Sequence, residues 1–128
     1  MAEKIKEIDA AAYEKEVLGA ERAVLDFYST ECPPCEALAS KYEALSELYG
    51  NDIRFFKIFR QGNRELAESL GVTGSPTVLF YKNGEETGKR LTGGIKRSEL
   101  MENLDDLLPE GRPEELKKNI KPVTTETD

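Results

Sequence analysis

The chain has 128 residues, of which 38% are hydrophobic and 34% charged, with a net charge of −7. This is enough apolar material for one compact domain, too little length for two ordinary ones, and it excludes disorder throughout. The acidic balance disfavours binding to a phosphate backbone, and the lack of histidine removes His-based general-base catalysis, Ser–His or Cys–His nucleophile pairs and imidazole zinc sites.

Lys4-Ile5-Lys6-Glu7-Ile8 alternates in polarity and predicts a first, edge strand. Asp9 is placed to cap a short helix over Ala10–Leu18, which Gly19 would end. Ala23-Val24-Leu25-Asp26-Phe27-Tyr28 is a nearly continuous apolar run, the pattern of a central strand buried on both faces. Ser29-Thr30-Glu31-Cys32-Pro33-Pro34-Cys35 follows and leads into a long helix with Leu38, Tyr42, Leu45 and Tyr49 on one face. Prolines are tolerated in a first helical turn, so this helix begins at the cysteines, with Cys32 at or beside its N-terminus, and Gly50 ends it. Residues 53–59 predict another strand, and Asn63 is placed to cap a helix running to Leu70 with Gly71 after it. Thr77–Lys82 reads as a strand, and Asn83-Gly84 as a two-residue hairpin turn into a last strand near Gly88–Thr92. Gly93-Gly94 breaks the chain before an amphipathic helix over Lys96–Leu108, with Leu100, Leu104 and Leu107 or Leu108 inward.

The order β-α-β-α-β-α-β-β-α predicts an α/β fold, a central mixed sheet of five strands flanked by four helices on both faces. Pro109–Asp128 has three prolines and few large apolar residues, so residues 1–108 read as the domain and 109–128 as an appended tail, with a helical turn around Glu114–Lys118. The charged N-terminus has no apolar stretch behind it, and no apolar run approaches the roughly 20 residues of a spanning helix. A soluble, cytoplasmic, monomeric protein without membrane or nucleic-acid partners is therefore expected.

The only cysteines, Cys32 and Cys35, stand two residues apart. A bridge this short removes little chain entropy, so the spacing asks for a chemical use. Thiolate is the nucleophile, and a helix N-terminus stabilises it through its dipole and free N–H groups. Cys32 at the strand end can attack a disulfide, and Cys35, one turn deeper, can resolve the mixed disulfide. The competing readings are half of a metal site, although a structural zinc needs four ligands, or an inert pair. Asp26 is the odd residue of its strand. It is either a hydrogen-bonded structural Asp or a carboxyl whose pKa desolvation raises.

Val24-Leu25-Asp26-Phe27-Tyr28, Cys32-Pro33-Pro34-Cys35, Gly74-Ser75-Pro76-Thr77, Asn83-Gly84 and Gly94, in this order and spacing, make Lys4–Leu108 similar to the thioredoxin family. The resemblance implies the thioredoxin fold and a dithiol–disulfide cycle at Cys32 and Cys35 that reduces protein disulfides. A thioredoxin-reductase-type protein would donate the electrons, and neither cofactor nor metal is implied. It further implies that Asp26 moves protons to and from Cys35 and that Lys57 neighbours Asp26. Ser75–Pro76 would be a cis peptide whose exposed backbone pairs with an extended substrate, with Pro33, Pro34, Gly93 and Gly94 around the same surface.

The sequence departs from the family's usual Trp-Cys-Gly-Pro-Cys. Glu31 replaces the aromatic residue before the first cysteine, and Tyr28 replaces a tryptophan. Glu31 opposes a thiolate at Cys32, and Pro33 removes an N–H donor near its sulfur. No cation flanks Cys32 in sequence; Arg60 and Arg90 are candidates to approach it in space. A modestly lowered Cys32 pKa and a reducing protein are therefore expected. A specialised protein with one dedicated partner or an oxidising role, or a binding or metal-bridging module on the same fold, are the alternatives.

Overall fold

The computed structural model describes residues 4–109. The elements expected at Glu114–Lys118 and the rest of the tail from Glu110 lie outside the described residues.

Strand β1 (Ile5–Ile8) opens the fold. Asp9 caps the first helix as expected, its Oδ1 accepting the Ala12 N–H at 3.1 Å. That helix is α-helical only over α1 (Ala10–Ala12) and continues as a π-helix over Tyr13–Leu18. Strand β2 (Arg22–Tyr28), helix α2 (Pro33–Tyr49), strand β3 (Arg54–Phe59) and a 3₁₀ turn (Arg60–Gly62) follow. Helix α3 (Arg64–Ser69), strands β4 (Thr77–Lys82) and β5 (Glu85–Thr92), and helix α4 (Arg97–Leu107) complete the described fold. Asn83 and Gly84 both have positive φ, 53° and 83°, the conformation of a tight type I′ turn between β4 and β5.

Two local expectations change. Asn63 does not cap α3 with its side chain; its Oδ1 accepts the Ala10 N–H and its Nδ2 donates to the Phe59 carbonyl, both at 2.8 Å. The residue ties two remote segments together instead of satisfying its own helix. Strand β5 begins at Glu85, three residues before Gly88, because charged side chains are acceptable on an edge strand. Its pairing with β4 slips between Val78 and Phe80, where β5 carries extra residues in a bulge.

The sheet order is β1-β3-β2-β4-β5. β3 pairs parallel with both β1 and β2, while β4 pairs antiparallel with β2 and with β5. β2 therefore lies at the centre, as its apolar run requires. One face carries Val24, Phe55, Val78 and Phe80 against Leu38, Tyr42, Leu45 and Tyr49 of α2 and Leu100, Leu104 and Leu107 of α4. The other carries Ala23, Leu25, Phe27, Phe56, Ile58 and Leu79 against Val17 and Ala67. Because strand side chains alternate, Asp26 falls on the α2 face with Val24.

Candidate active site

Cys32 is the N-cap of α2 in extended conformation (φ −134°, ψ 90°), and Pro33 and Pro34 fill the first helical positions. Neither proline has an N–H, so Cys35 supplies the first donor, 3.3 Å from the Cys32 sulfur. The donor missing at Pro33 is thus partly replaced from within the motif. Cys32 and Cys35 are joined in a disulfide, with Cα atoms 5.2 Å apart. Glu31 turns the chain into this helix from a left-handed conformation (φ 51°) and is exposed. Gln61 Oε1 steadies the preceding residue, accepting from the Thr30 N–H at 3.1 Å and its hydroxyl at 3.3 Å.

Beneath the disulfide is a cavity of about 250 Å³ lined by Asp26, Tyr28, Cys35, Tyr42 and Lys57 among others. Cys35 opens onto it; Cys32 does not line it. Asp26 is 6% exposed, and its Oδ1 is buried without a hydrogen-bond partner among the described residues. Desolvation pushes its pKa up to about 7, while the nearby Lys57 charge pulls the other way. Lys57 is the register partner of Asp26 across β2 and β3 and lies 5.5 Å from the centroid of the Tyr28 ring. The Tyr28 hydroxyl donates to Glu7, and burial together with that carboxylate raises its pKa to about 12. The buried Tyr42 hydroxyl donates to the Phe56 carbonyl at 2.6 Å and approaches that of Val24 at 3.2 Å, joining α2 to both central strands.

Ser75–Pro76 is a cis peptide, the conformation implied by the resemblance. The Ser75 carbonyl oxygen lies 3.7 Å from the Cys32 sulfur. The Pro76 carbonyl accepts the Gly93 N–H at 3.2 Å, which brings the start of β4 against the end of β5. Ser75, Pro76 and Gly93 line a second depression of about 360 Å³. A Cβ on Gly93 or Gly94 would meet nothing within 4 Å, so the surface there is open.

Of the two candidate cations, Arg60 approaches the site, its Nε donating to Ser75 Oγ at 2.8 Å. Arg90 also lines the depression with Ser75, Pro76 and Gly93, but there it pairs with Glu86 and donates to the Leu70 carbonyl. Ser29, whose hydroxyl meets that of Ser75, and Gln61 and Tyr42 are site neighbours that sequence reasoning did not single out as functional. Their partners are remote in sequence, and no local pattern marks them.

Cys32 meets the Ser75 carbonyl and Cys35 shares a cavity with the buried Asp26, but both cysteines are 8% exposed, so Cys32 is not the exposed sulfur that its place at the strand end predicts. Fold and pair together define a thiol–disulfide oxidoreductase of the protein-disulfide reductase class. The sequence profile described as Thioredoxin matches residues 4–106, and the chain belongs to the thioredoxin family.

The chain is 36% identical over 106 residues to thioredoxin X, chloroplastic, of Arabidopsis thaliana, covering 81% of this chain and 58% of that protein. It is 35% identical over 109 residues to the thioredoxin of Peptoclostridium acidaminophilum, covering 84% and 96%. Among solved structures, a Malassezia sympodialis thioredoxin superposes with a TM-score of 0.72 at 24% identity, covering 80% of this chain and 89% of that one. A thioredoxin point mutant from Halobacterium salinarum superposes at 0.75 and 22% identity, covering 83% and 92%; both comparisons speak to the fold alone. Among the described residues no helix is long and apolar enough to cross a membrane, and no group of three or more metal-ligating side chains could hold an ion.

Proposed function

We propose that this protein reduces disulfide bonds of other proteins and is regenerated by a thioredoxin-reductase-type electron donor. The observation that carries this reading is the cavity shared by Cys35 and Asp26 beneath the redox pair. In the dithiol form, Cys32 thiolate attacks one sulfur of the substrate disulfide, and the other substrate sulfur leaves as thiolate and takes up a proton. Cys35 then gives its proton to Asp26 and attacks the Cys32 sulfur. The Cys32–Cys35 disulfide forms, and the second substrate thiolate leaves and is protonated. Two electrons and two protons have passed to the substrate.

Asp26 suits its step because a carboxyl held near 7 accepts and returns a proton near neutral pH. Lys57 is the adjacent charge that keeps part of the Asp26 population ionised. The half-buried backbone of Ser75 offers an extended substrate segment a short strand to pair with, and Pro33, Pro34, Gly93 and Gly94 form the walls of that approach. The reading assigns catalysis to residues 1–108 and the protein to the cytoplasm, where dithiols are kept reduced.

The test is catalysed precipitation of insulin by dithiothreitol, with thiolate absorbance titrated in parallel. The expected results are acceleration that Cys32→Ser abolishes, and a Cys32 pKa only modestly below the usual thiol range. No acceleration would refute the reading, and a Cys32 pKa below about 5 would reverse the direction to oxidant.

A further inference from the structure

Arg60 is a cation at the site without an acidic partner among the described residues. Arg22, Arg54 and Arg90 each meet a glutamate, namely Glu21, Glu16 and Glu86. Arg60 meets none among the described residues, and the one hydrogen bond of its side chain runs from Nε to Ser75 Oγ at 2.8 Å. Among the described residues nothing occupies its terminal nitrogens, the edge that binds a carboxylate bidentately.

The side chain is also held in place. Ser75 Oγ, its acceptor, is itself paired with the Ser29 hydroxyl. The turn that carries Arg60 is stapled by Gln61 to Thr30, two residues before Cys32. A half-buried arginine anchored in this way has less freedom to lose on binding than a mobile surface one.

Its anchor residue is the one nearest the chemistry, since the Ser75 carbonyl lies 3.7 Å from the Cys32 sulfur. A substrate sulfur bonded to Cys32, with its backbone laid along Ser75, brings a neighbouring side chain to the Arg60 guanidinium. The chain as a whole carries −7, and Glu31 precedes Cys32, so acidic substrates are repelled in general. A local cation here favours a carboxylate at one position of the substrate, not acidity overall.

We infer that Arg60 is a specificity-determining residue, its anchored guanidinium beside Ser75 receiving a substrate carboxylate next to the disulfide being reduced. This rests on the reductase reading above. The test compares kcat/KM of the full chain on peptide disulfides that differ only in Glu or Gln at either position flanking the reacting cysteine. At one of the two positions Glu is expected to be preferred by about five-fold at low salt, as for a well-formed ion pair of limited exposure. The preference should lie in KM and shrink as salt screens it. Arg60→Gln should bring the ratio to about one, and Arg60→Lys should retain part of it, keeping charge but losing the planar fork.

A wild-type ratio of one or less at both positions would overturn the inference without any variant, and so would an unchanged ratio in Arg60→Gln. Failure of the wild type to reduce either peptide would instead refute the reductase reading and the inference with it.

Discussion

Replacing Asp26 by Asn isolates what it costs to keep an ionisable carboxyl under the cysteines. Desolvation holds the Asp26 pKa at about 7 against an ordinary 3.8, with Lys57 opposing. Between these values the native protein keeps a proton that the unfolded chain has released. Asp26 thus contributes stability fully below pH 3.8 and loses it as pH rises through 7. At about 1.4 kcal/mol per pH unit, the loss over that window is about 4 kcal/mol. Asn titrates nothing, and its amide contributes only a constant offset. The stability of Asp26→Asn relative to wild type should therefore climb by about 4 kcal/mol from pH 4 to pH 8 and flatten beyond. Urea unfolding of both oxidised proteins across that range measures it, since every other titrating group cancels in the difference. A pH-independent difference would refute the reasoning and leave Cys35 without its proton acceptor.

Cys35→Ser should accumulate mixed disulfides with substrate proteins through Cys32, while Cys32→Ser should trap few; mass spectrometry of the adducts decides, and trapping through Cys35 would reverse the roles. Tyr42→Phe removes the buried bond to the Phe56 carbonyl, and urea unfolding should show a loss of about 1 kcal/mol. A chain ending at Leu108 should fold and still precipitate insulin, because the residues described in both apolar clusters already enclose the sheet on both faces. A large fall in melting temperature would show that the tail contributes to the core.

Legibility followed the range of the interactions. The runs in β2 and β4 and the Leu38-Tyr42-Leu45-Tyr49 stripe encode burial through periodicity, and each was placed to within a residue or two. The Asn83-Gly84 turn was readable because its backbone demands residues that tolerate positive φ. Asn63 misled because its amide found partners on Ala10 and Phe59 that no local pattern announces. The π-helical stretch at Tyr13–Leu18 was hidden for a related reason, since its apolar spacing also fits an ordinary helix. At the site, the two cysteines stood out by composition and Asp26 by its contrast with the strand around it. The Arg60–Ser75–Ser29 network needs three segments brought together by the sheet, and the sequence offered only Arg60 as one of two possible neighbours.

The antiparallel pairing of β2 with β4 has a consequence for how the molecule is made. Phe27 lies opposite Thr77, about 50 residues later, so closing that loop costs on the order of 3 kcal/mol of chain entropy before any contact repays it. The substrate edge at Ser75 and the cysteine turn are thus strangers until the centre of the sheet forms. The disulfide spans only three positions and can close in a chain that has no sheet at all. Oxidation during synthesis would then fix no wrong long-range crossing, and the nascent chain can meet either redox state and still search the same topology. A longer bridge across β2 and β4 would speed that search but could not open and close in each catalytic turn without taking the sheet with it.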